Sequence, residues 1–124
     1  MITESITWIL FIIGVATSSM VGQFLAPKKF LRLVVNIEIN DEAGLFYAKH
    51  WAMMVFVLGG LLIWAAFDET IRTPVILAAV LEKLVLVYMV LTNMKTPIGR
   101  GLLGAAAFDA VSSSILILYL TGAA

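Results

Sequence analysis

The sequence has no cysteine and only one histidine, His50. The absence of cysteine excludes disulfides, thiolate metal sites, cysteine-ligated iron–sulfur clusters and covalently attached c-type haem. One histidine cannot supply both axial ligands of a bis-histidine haem. The sequence also contains no nucleotide-binding motif, and its formal net charge of zero provides no basic surface for a nucleic acid. No nucleic-acid partner is therefore expected, and the sequence identifies no cofactor.

Charged residues are also scarce. They make up 13% of the 124 residues, against 62% hydrophobic residues, and the mean hydropathy is +1.06. A soluble domain typically has about 45–50% apolar and about 25% charged residues. This chain has too little polar surface to coat a water-soluble globule, so its composition predicts a single-domain integral membrane protein.

Four segments have the roughly 20 mostly apolar residues that a membrane span requires. They cover residues 5–26, 46–67, 73–94 and 99–120. The first segment has no basic residue before it and is longer than the roughly 7–15 apolar residues of a signal peptide. We therefore expect it to be retained as a span.

The connections between the last three spans are short. Thr73 followed by Pro74 predicts an N-cap with proline at the first position of the third helix. The sequence Lys95-Thr96-Pro97 predicts a tight turn before the fourth. Such short connections make successive spans antiparallel neighbours. The predicted fold is therefore an all-α, integral membrane four-helix up-down bundle.

The basic residues indicate how this bundle is oriented. If the spans alternate in direction, six of them lie on one side: Lys28, Lys29, Arg32, Lys49, Lys95 and Arg100. Only Arg72 lies on the other side. The positive-inside rule places the more basic side in the cytoplasm. We therefore predict a protein of the cell (inner) membrane with both termini outside.

Residues 27–45 form an insert between spans one and two that is too polar to cross a membrane. As a helix, the insert places Lys28, Lys29 and Arg32 on one polar face; as a strand, its later apolar and polar residues alternate. A lone strand in a membrane leaves its backbone unpaired. We therefore expect an amphipathic helix at the cytoplasmic interface followed by an irregular stretch. A short hairpin over the cytoplasmic mouth of the bundle is the alternative.

Small residues recur at four-residue spacing on two spans. They are Gly14, Ser18 and Gly22 on the first span, and Gly101, Ala105, Asp109 and Ser113 on the fourth. Helices in a bilayer associate at small residues, so both stripes are expected to face other helices. A homodimer seam is the functional alternative.

Three ionisable residues lie at the predicted membrane midplane. At about 1.5 Å per residue, Lys83 lies about 15 Å into span three and Asp109 about 15 Å into span four. Both are then at the middle of a hydrocarbon core about 30 Å thick. Because the two spans are antiparallel neighbours, we predict an ion pair between Lys83 and Asp109. Glu82 points about 100° away from Lys83 around the helix and needs another partner.

Two carboxylates and one ammonium leave one negative charge uncompensated. Either Glu82 is protonated, or His50, about one turn inside the cytoplasmic boundary of span two, supplies a positive charge. The candidate catalytic residues are therefore Glu82, His50, Asp109 and Lys83. A structural role competes for each of them, and for the ion pair this role is fixing helix register. No HxxxH or ExxH spacing supports a metal site, so no metal ligand is predicted.

Several short motifs follow one another along the chain. FLAPKKFLR ends span one, YAKHWAMMVFVLGGLLIWAAF forms span two, and IRTPV and AAVLEKLVL follow in span three. This order is similar to that of the DoxX-like group of small four-span membrane proteins. The resemblance implies a compact four-helix bundle. It implies no single activity, because some members resemble subunits of quinone-linked oxidoreductases and others resemble accessory or assembly factors. No family active site is transferred to this chain.

Three functions are compatible with these residues. On the sequence alone we prefer an accessory or assembly subunit, whose midplane charges fix the bundle and whose insert docks a partner. The second is a small membrane enzyme or quinone-linked oxidoreductase module, in which an apolar substrate enters between helices and Glu82 acts as acid or base, alone or with His50. The third is a proton-coupled transporter or channel, which with four spans requires oligomerisation.

The expected partners are membrane lipids and either further copies of the chain or a larger membrane complex, with a quinone or a lipid as the ligand.

The first two functions predict different structures around Glu82. A polar cavity that reaches Glu82 from the membrane favours the second function. A dry, fully paired core favours the first.

Overall fold

The computed structural model describes residues 4–122 and is all-helical, with 84% helix and no strand in that range. The α-helices are α1 (Ile6–Ser18), α2 (Val21–Leu25), α3 (Pro27–Phe30), α4 (Glu42–Phe67), α5 (Arg72–Leu91), α6 (Pro97–Gly101) and α7 (Leu103–Thr121). A π-helical turn covers Leu31–Val35, and a 3-10 turn covers Glu69–Ile71.

Four helical segments are long and apolar enough to cross a membrane. They are Ile6–Leu25, Glu42–Phe67, Glu69–Leu91 and Leu103–Thr121. The number of candidate spans and the membrane class of the protein agree with the sequence prediction. The bounds differ at several ends. The second segment begins before residue 46 because Asp41 caps the helix, accepting a hydrogen bond from the Gly44 backbone N–H at 2.7 Å.

The start of α5 differs from the prediction. Asp68 accepts hydrogen bonds from both the backbone N–H and the hydroxyl of Thr70, at 3.0 and 2.5 Å, and so begins the 3-10 turn. The helix therefore starts at Arg72, and the prediction that Thr73 is its N-cap was wrong. Pro74 becomes the third residue of the helix, where its missing N–H has no intrahelical partner in any case.

The predicted turn before the fourth span is confirmed. The Thr96 side chain accepts a hydrogen bond from the Gly99 backbone N–H at 3.1 Å, and Pro97 is the first residue of α6. The predicted single span 99–120 is interrupted, because a turn at Leu102 separates α6 from α7. The last apolar segment therefore consists of two helices, a short α6 and the longer α7.

A buried arginine holds the corner between α4 and α5. Arg72 is 7% exposed and donates from Nε to the Ala65 carbonyl at 2.9 Å and from Nη2 to the Ala66 carbonyl at 3.0 Å. These carbonyls belong to the last turn of α4, where a helix has no backbone donors left for them. The guanidinium therefore satisfies the end of one helix from the first residue of the next.

The first span packs against α4 through its small residues. A Cβ built on Gly14 would lie 2.7 Å from Ile63 Cγ1 and 2.9 Å from the Gly59 carbonyl oxygen. A Cβ built on Gly59 would in turn lie 2.6 Å from the Ser18 backbone nitrogen. Neither glycine leaves room for a side chain, so the predicted contact of this stripe with another helix is confirmed for Gly14 and Ser18.

The main helix contacts run from α1 to α4, from α4 to α5 and from α5 to α7. An apolar cluster closes the end of the molecule at which α1 begins, and it includes Ile6, Leu10, Leu62, Ile76 and Leu116. Residues from all four candidate spans meet in this cluster. At the opposite end, α1 and α7 are separated by a cavity.

The insert begins with a short helix, α3, and continues into the π-helical turn. Asn36 ends this turn in the left-handed conformation, with a φ of 60°. Leu31 and Val35 are buried. A Cβ added to Gly101 would overlap the Val35 carbonyl oxygen, so the insert lies directly against the end of α6. No hairpin of strands is found in the described part of the insert.

Candidate functional site

A cavity of about 380 Å³ lies between the insert and the helices α1, α2, α4, α5, α6 and α7. Most of its wall is apolar. Its polar lining includes Thr17, Gln23, Glu82, Lys83 and Asp109. Three of the four residues proposed from the sequence therefore line one cavity.

The cavity opens between the first and last spans. Ala16 and Ser19 on one side, and Gly104 and Ala105 on the other, line the cavity and are also exposed on the surface. Ala105 was predicted to face another helix as part of the small-residue stripe of span four. It instead lies at the cavity mouth, and a Cβ added to Gly104 would meet no atom within 4 Å.

The predicted ion pair between Lys83 and Asp109 is confirmed. Lys83 Nζ lies 2.9 Å from Asp109 Oδ1, and the two residues are 1% and 7% exposed. Lys83 Nζ also lies 5.0 Å from the centroid of the Phe108 ring, within the range of a cation–π contact. In the turn between the two helices, the backbones of Asn93 and Gly99 also approach each other closely.

Glu82 lies beside this pair without joining it. It is partly buried and lines the cavity, and it makes no hydrogen bond or ion pair to any residue in 4–122. Although neighbouring helical residues diverge by about 100°, the cavity is wide enough to contact both Glu82 and Lys83. The separate partner expected for Glu82 is thus not supplied by the described part of this chain.

His50 is not part of the cluster. It is exposed on α4 and does not line the cavity, so the structure does not support His50 as the positive charge that balances Glu82. Among residues 4–122, no group of three His, Asp or Glu side chains is arranged to hold a metal ion.

Sequence reasoning missed two polar residues on the opposite wall. Gln23 is 1% exposed and donates from Nε2 to the Ala48 carbonyl at 2.8 Å, while its Oε1 has no hydrogen-bond partner among the described residues. Thr17 is 5% exposed, and its Oγ1 likewise lacks a partner there. Both residues line the cavity. Their only signal in the sequence is a polar side chain within an otherwise apolar segment.

Comparison of the chain with protein-family models, with curated proteins and with solved structures finds no match. The function of the protein is therefore inferred from the geometry of the cavity.

Proposed function

We propose that this chain is a small integral membrane protein that takes an apolar molecule, a lipid or a quinone, from the bilayer into the lateral cavity. The observation that carries the proposal is that the cavity reaches Glu82 and the buried Lys83–Asp109 pair. Its volume of about 380 Å³ lies in the usual range for small-molecule sites, about 300–1,000 Å³. An apolar wall with a few convergent polar groups is also typical of such sites.

The depth of the polar groups supports entry from the membrane. Ile6, Arg72 and Tyr119 line one open depression, so α1, α5 and α7 have neighbouring ends there. Counted from this end at about 1.5 Å per residue, Thr17 and Lys83 each lie about 16 Å along their helices. That is the middle of a hydrocarbon core about 30 Å thick. The mouth between Ser19 and Gly104 then faces lipid rather than water.

The unpaired groups favour a ligand over a purely structural role. An ion pair that only fixes helix register needs no cavity beside it. Here Glu82, Thr17 and Gln23 border the space with hydrogen-bonding capacity that the described residues do not satisfy. Buried polar groups in proteins normally have partners, so a bound molecule is the natural source of the missing ones.

The side chains have distinct roles in this proposal. Lys83 and Asp109 hold each other and present the remaining ammonium protons to the cavity. Glu82 is the candidate proton donor or acceptor, because it contacts the cavity without a partner in residues 4–122. His50 has no part, since it lies outside the cavity.

The membrane arrangement belongs to the same proposal. The four candidate spans form an up-down bundle in the cell membrane, with both termini outside and the insert on the cytoplasmic side. The basic residues of the insert and of the turn at Lys95 support this orientation. The DoxX-like resemblance is retained as a proposal about the fold alone.

Trp51 provides a direct test, because it lines the cavity whereas Trp8 and Trp64 are 70% and 56% exposed elsewhere. Replacing Trp8 and Trp64 by Phe leaves Trp51 as the only indole. The protein is placed in nanodiscs of phosphatidylcholine and titrated with 9,10-dibromooctadecan-1-ol, whose bromine atoms quench indole fluorescence. We expect quenching that saturates at low probe content, above the linear quenching expected from random lipid contact.

Two glycines provide a matched pair of variants. Gly104 and Gly60 are both exposed helical residues whose added Cβ would meet no atom within 4 Å, but only Gly104 lines the cavity. We expect Gly104→Phe to remove the saturable quenching and Gly60→Phe to preserve it. Strictly linear quenching of the Trp51-only protein, or equal effects of the two glycine variants made in it, would contradict the proposal.

A further inference from the structure

The polar groups of the cavity restrict which apolar molecules it accepts. Resting on the proposed function, we infer that the ligand carries a hydroxyl headgroup that donates a hydrogen bond inside the cavity, with its apolar chain leaving through the mouth between α1 and α7. The headgroup lies between the wall formed by Thr17 and Gln23 and the wall formed by Glu82 and Lys83.

Gln23 decides the direction of the hydrogen bond. Its amide nitrogen must face the Ala48 carbonyl, because turning the amide over would place two oxygen atoms 2.8 Å apart. Its Oε1 is therefore the atom without a partner in the described chain, and an amide oxygen only accepts hydrogen bonds. A ligand that completes the hydrogen bonding of Gln23 must donate.

Thr17 and the charged wall add to this requirement. The Thr17 hydroxyl lacks a partner in residues 4–122 and can both donate and accept. An ionised Glu82 only accepts, whereas the Lys83 ammonium still has protons to donate after it binds Asp109. A hydroxyl has one proton, which it donates to Gln23, and two lone pairs, which accept from Thr17 and Lys83, so it meets the hydrogen-bonding needs of these three side chains without carrying a charge.

Other headgroups fit less well. Ketone, ether and ester oxygens accept from Thr17 and Lys83 but offer nothing to Gln23, which would remain buried and unpaired. An oxidised quinone, which has only ketone oxygens, is therefore disfavoured relative to an alcohol. An ammonium headgroup can donate to Gln23, but the positive charge of Lys83 in the same cavity repels it.

The test compares two probes with the same brominated chain. 9,10-Dibromooctadecan-1-ol and its methyl ether are titrated separately into the Trp51-only protein. Phosphatidylcholine nanodiscs are used because this headgroup has neither a hydroxyl nor an N–H donor. We expect the alcohol to bind at least about tenfold more tightly than the ether, since an unpaired buried acceptor opposes binding of the ether. Equal binding, or tighter binding of the ether, would overturn the inference.

The outcomes separate this inference from the proposed function. If neither probe quenches in a saturable manner, the lateral ligand site itself is wrong. If both do so with equal affinity, the site stands and the hydroxyl inference is wrong. Glycerol is added as a competitor to identify the source of the hydroxyl. We expect glycerol not to displace the alcohol probe. Displacement would overturn the inference that the ligand comes from the membrane.

Two neighbouring residues provide the matched variants. Thr17 and Ser18 both carry a buried hydroxyl that has no partner within the described part of the chain, but only Thr17 lines the cavity. Thr17→Val should weaken binding of the alcohol, whereas Ser18→Ala should not. Gln23→Met should bring the affinities for alcohol and ether close together. If Gln23→Met fails to fold, the comparison of the two probes on the Trp51-only protein with Gln23 intact still decides the question.

Discussion

Removing one member of the Lys83–Asp109 pair should destabilise the protein more than removing both. Breaking a buried ion pair costs about 3–5 kcal/mol, because one charge remains buried without its partner. In Asp109→Leu, the Lys83 ammonium keeps its contact with the Phe108 ring at 5.0 Å, a contact worth about 0.5–2 kcal/mol. We therefore expect this variant to lose about 3 kcal/mol.

Lys83→Met should cost more, about 5 kcal/mol, because it leaves the Asp109 carboxylate beside a second acid, Glu82. The double variant replaces the whole pair by apolar side chains of similar length. Such replacements are often near neutral, so we expect it to lie within about 1–2 kcal/mol of the wild type. The sum of the single losses then exceeds the double loss by at least about 5 kcal/mol, the signature of a direct interaction.

The measurement is the unfolding free energy of all four proteins in one detergent, from chemical denaturation checked against thermal midpoints. Glu69→Ala is the control, because Glu69 Oε1 lies 3.9 Å from Arg72 Nη1 and the Glu69 side chain is 89% exposed. An exposed pair of this kind contributes less than about 1 kcal/mol. Single losses that add up to the loss of the double variant would refute the assignment of Lys83 and Asp109 as energetic partners.

Three further predictions concern other parts of the molecule. Gly101→Ala should lower the stability by about 1–3 kcal/mol in the same denaturation assay, because its Cβ would overlap a carbonyl of the insert, whereas Gly104→Ala should be neutral or stabilising. Hydrogen bonds from the hydroxyl and backbone N–H of Thr70 hold the pKa of Asp68 below its ordinary value of 3.8. The stability that Asp68 contributes is therefore present above pH 3.8 and is lost as the pH falls below it. The unfolding midpoint of Asp68→Asn should therefore fall less steeply than that of the wild type between about pH 5 and about pH 2. An unchanged pH dependence would contradict this. Reporter fusions should give a cytoplasmic signal at Asn40 and an external signal at the C-terminus, and the reverse pattern would overturn the proposed orientation.

The Lys83–Asp109 pair is the part of the site that sequence reasoning predicted best. The depth of a charged residue in a span can be counted from the chain, because a helix rises by a constant amount per residue. The turn at Thr96 and Pro97 is too short for the two spans to lie apart. Depth and adjacency together bring the two side chains to one place, as their 2.9 Å contact confirms.

The role of His50 could not be predicted in the same way. Its depth was known from its position in span two, but its direction around the helix was not. The spans are apolar on nearly every face, so their pattern does not indicate which face is inward. Only the packing of α4 against α1 and α5 places His50 on the outside.

Thr17 and Gln23 were not predicted for the same reason: the sequence does not show which face of a membrane helix points inward. In a soluble protein a polar side chain usually faces water, but in a membrane helix it can face a neighbouring helix, a cavity or the interface. The hydrogen bond from Gln23 to the Ala48 carbonyl joins two spans that are distant in sequence. It depends on the rotation of α1, which is set by close contact at Gly14 and Gly59.

By itself, the sequence determined the membrane class and the number of apolar helices, because both depend on local composition and length. The tertiary structure alone decided that α1 and α7 separate near the insert, and that the cavity between them contacts Glu82, Lys83 and Asp109. On one side of this cavity small residues let α1 pack closely on α4, and on the other side Gly101 lies against Val35 of the insert. Such contacts join residues far apart in the chain, and no local pattern encodes them.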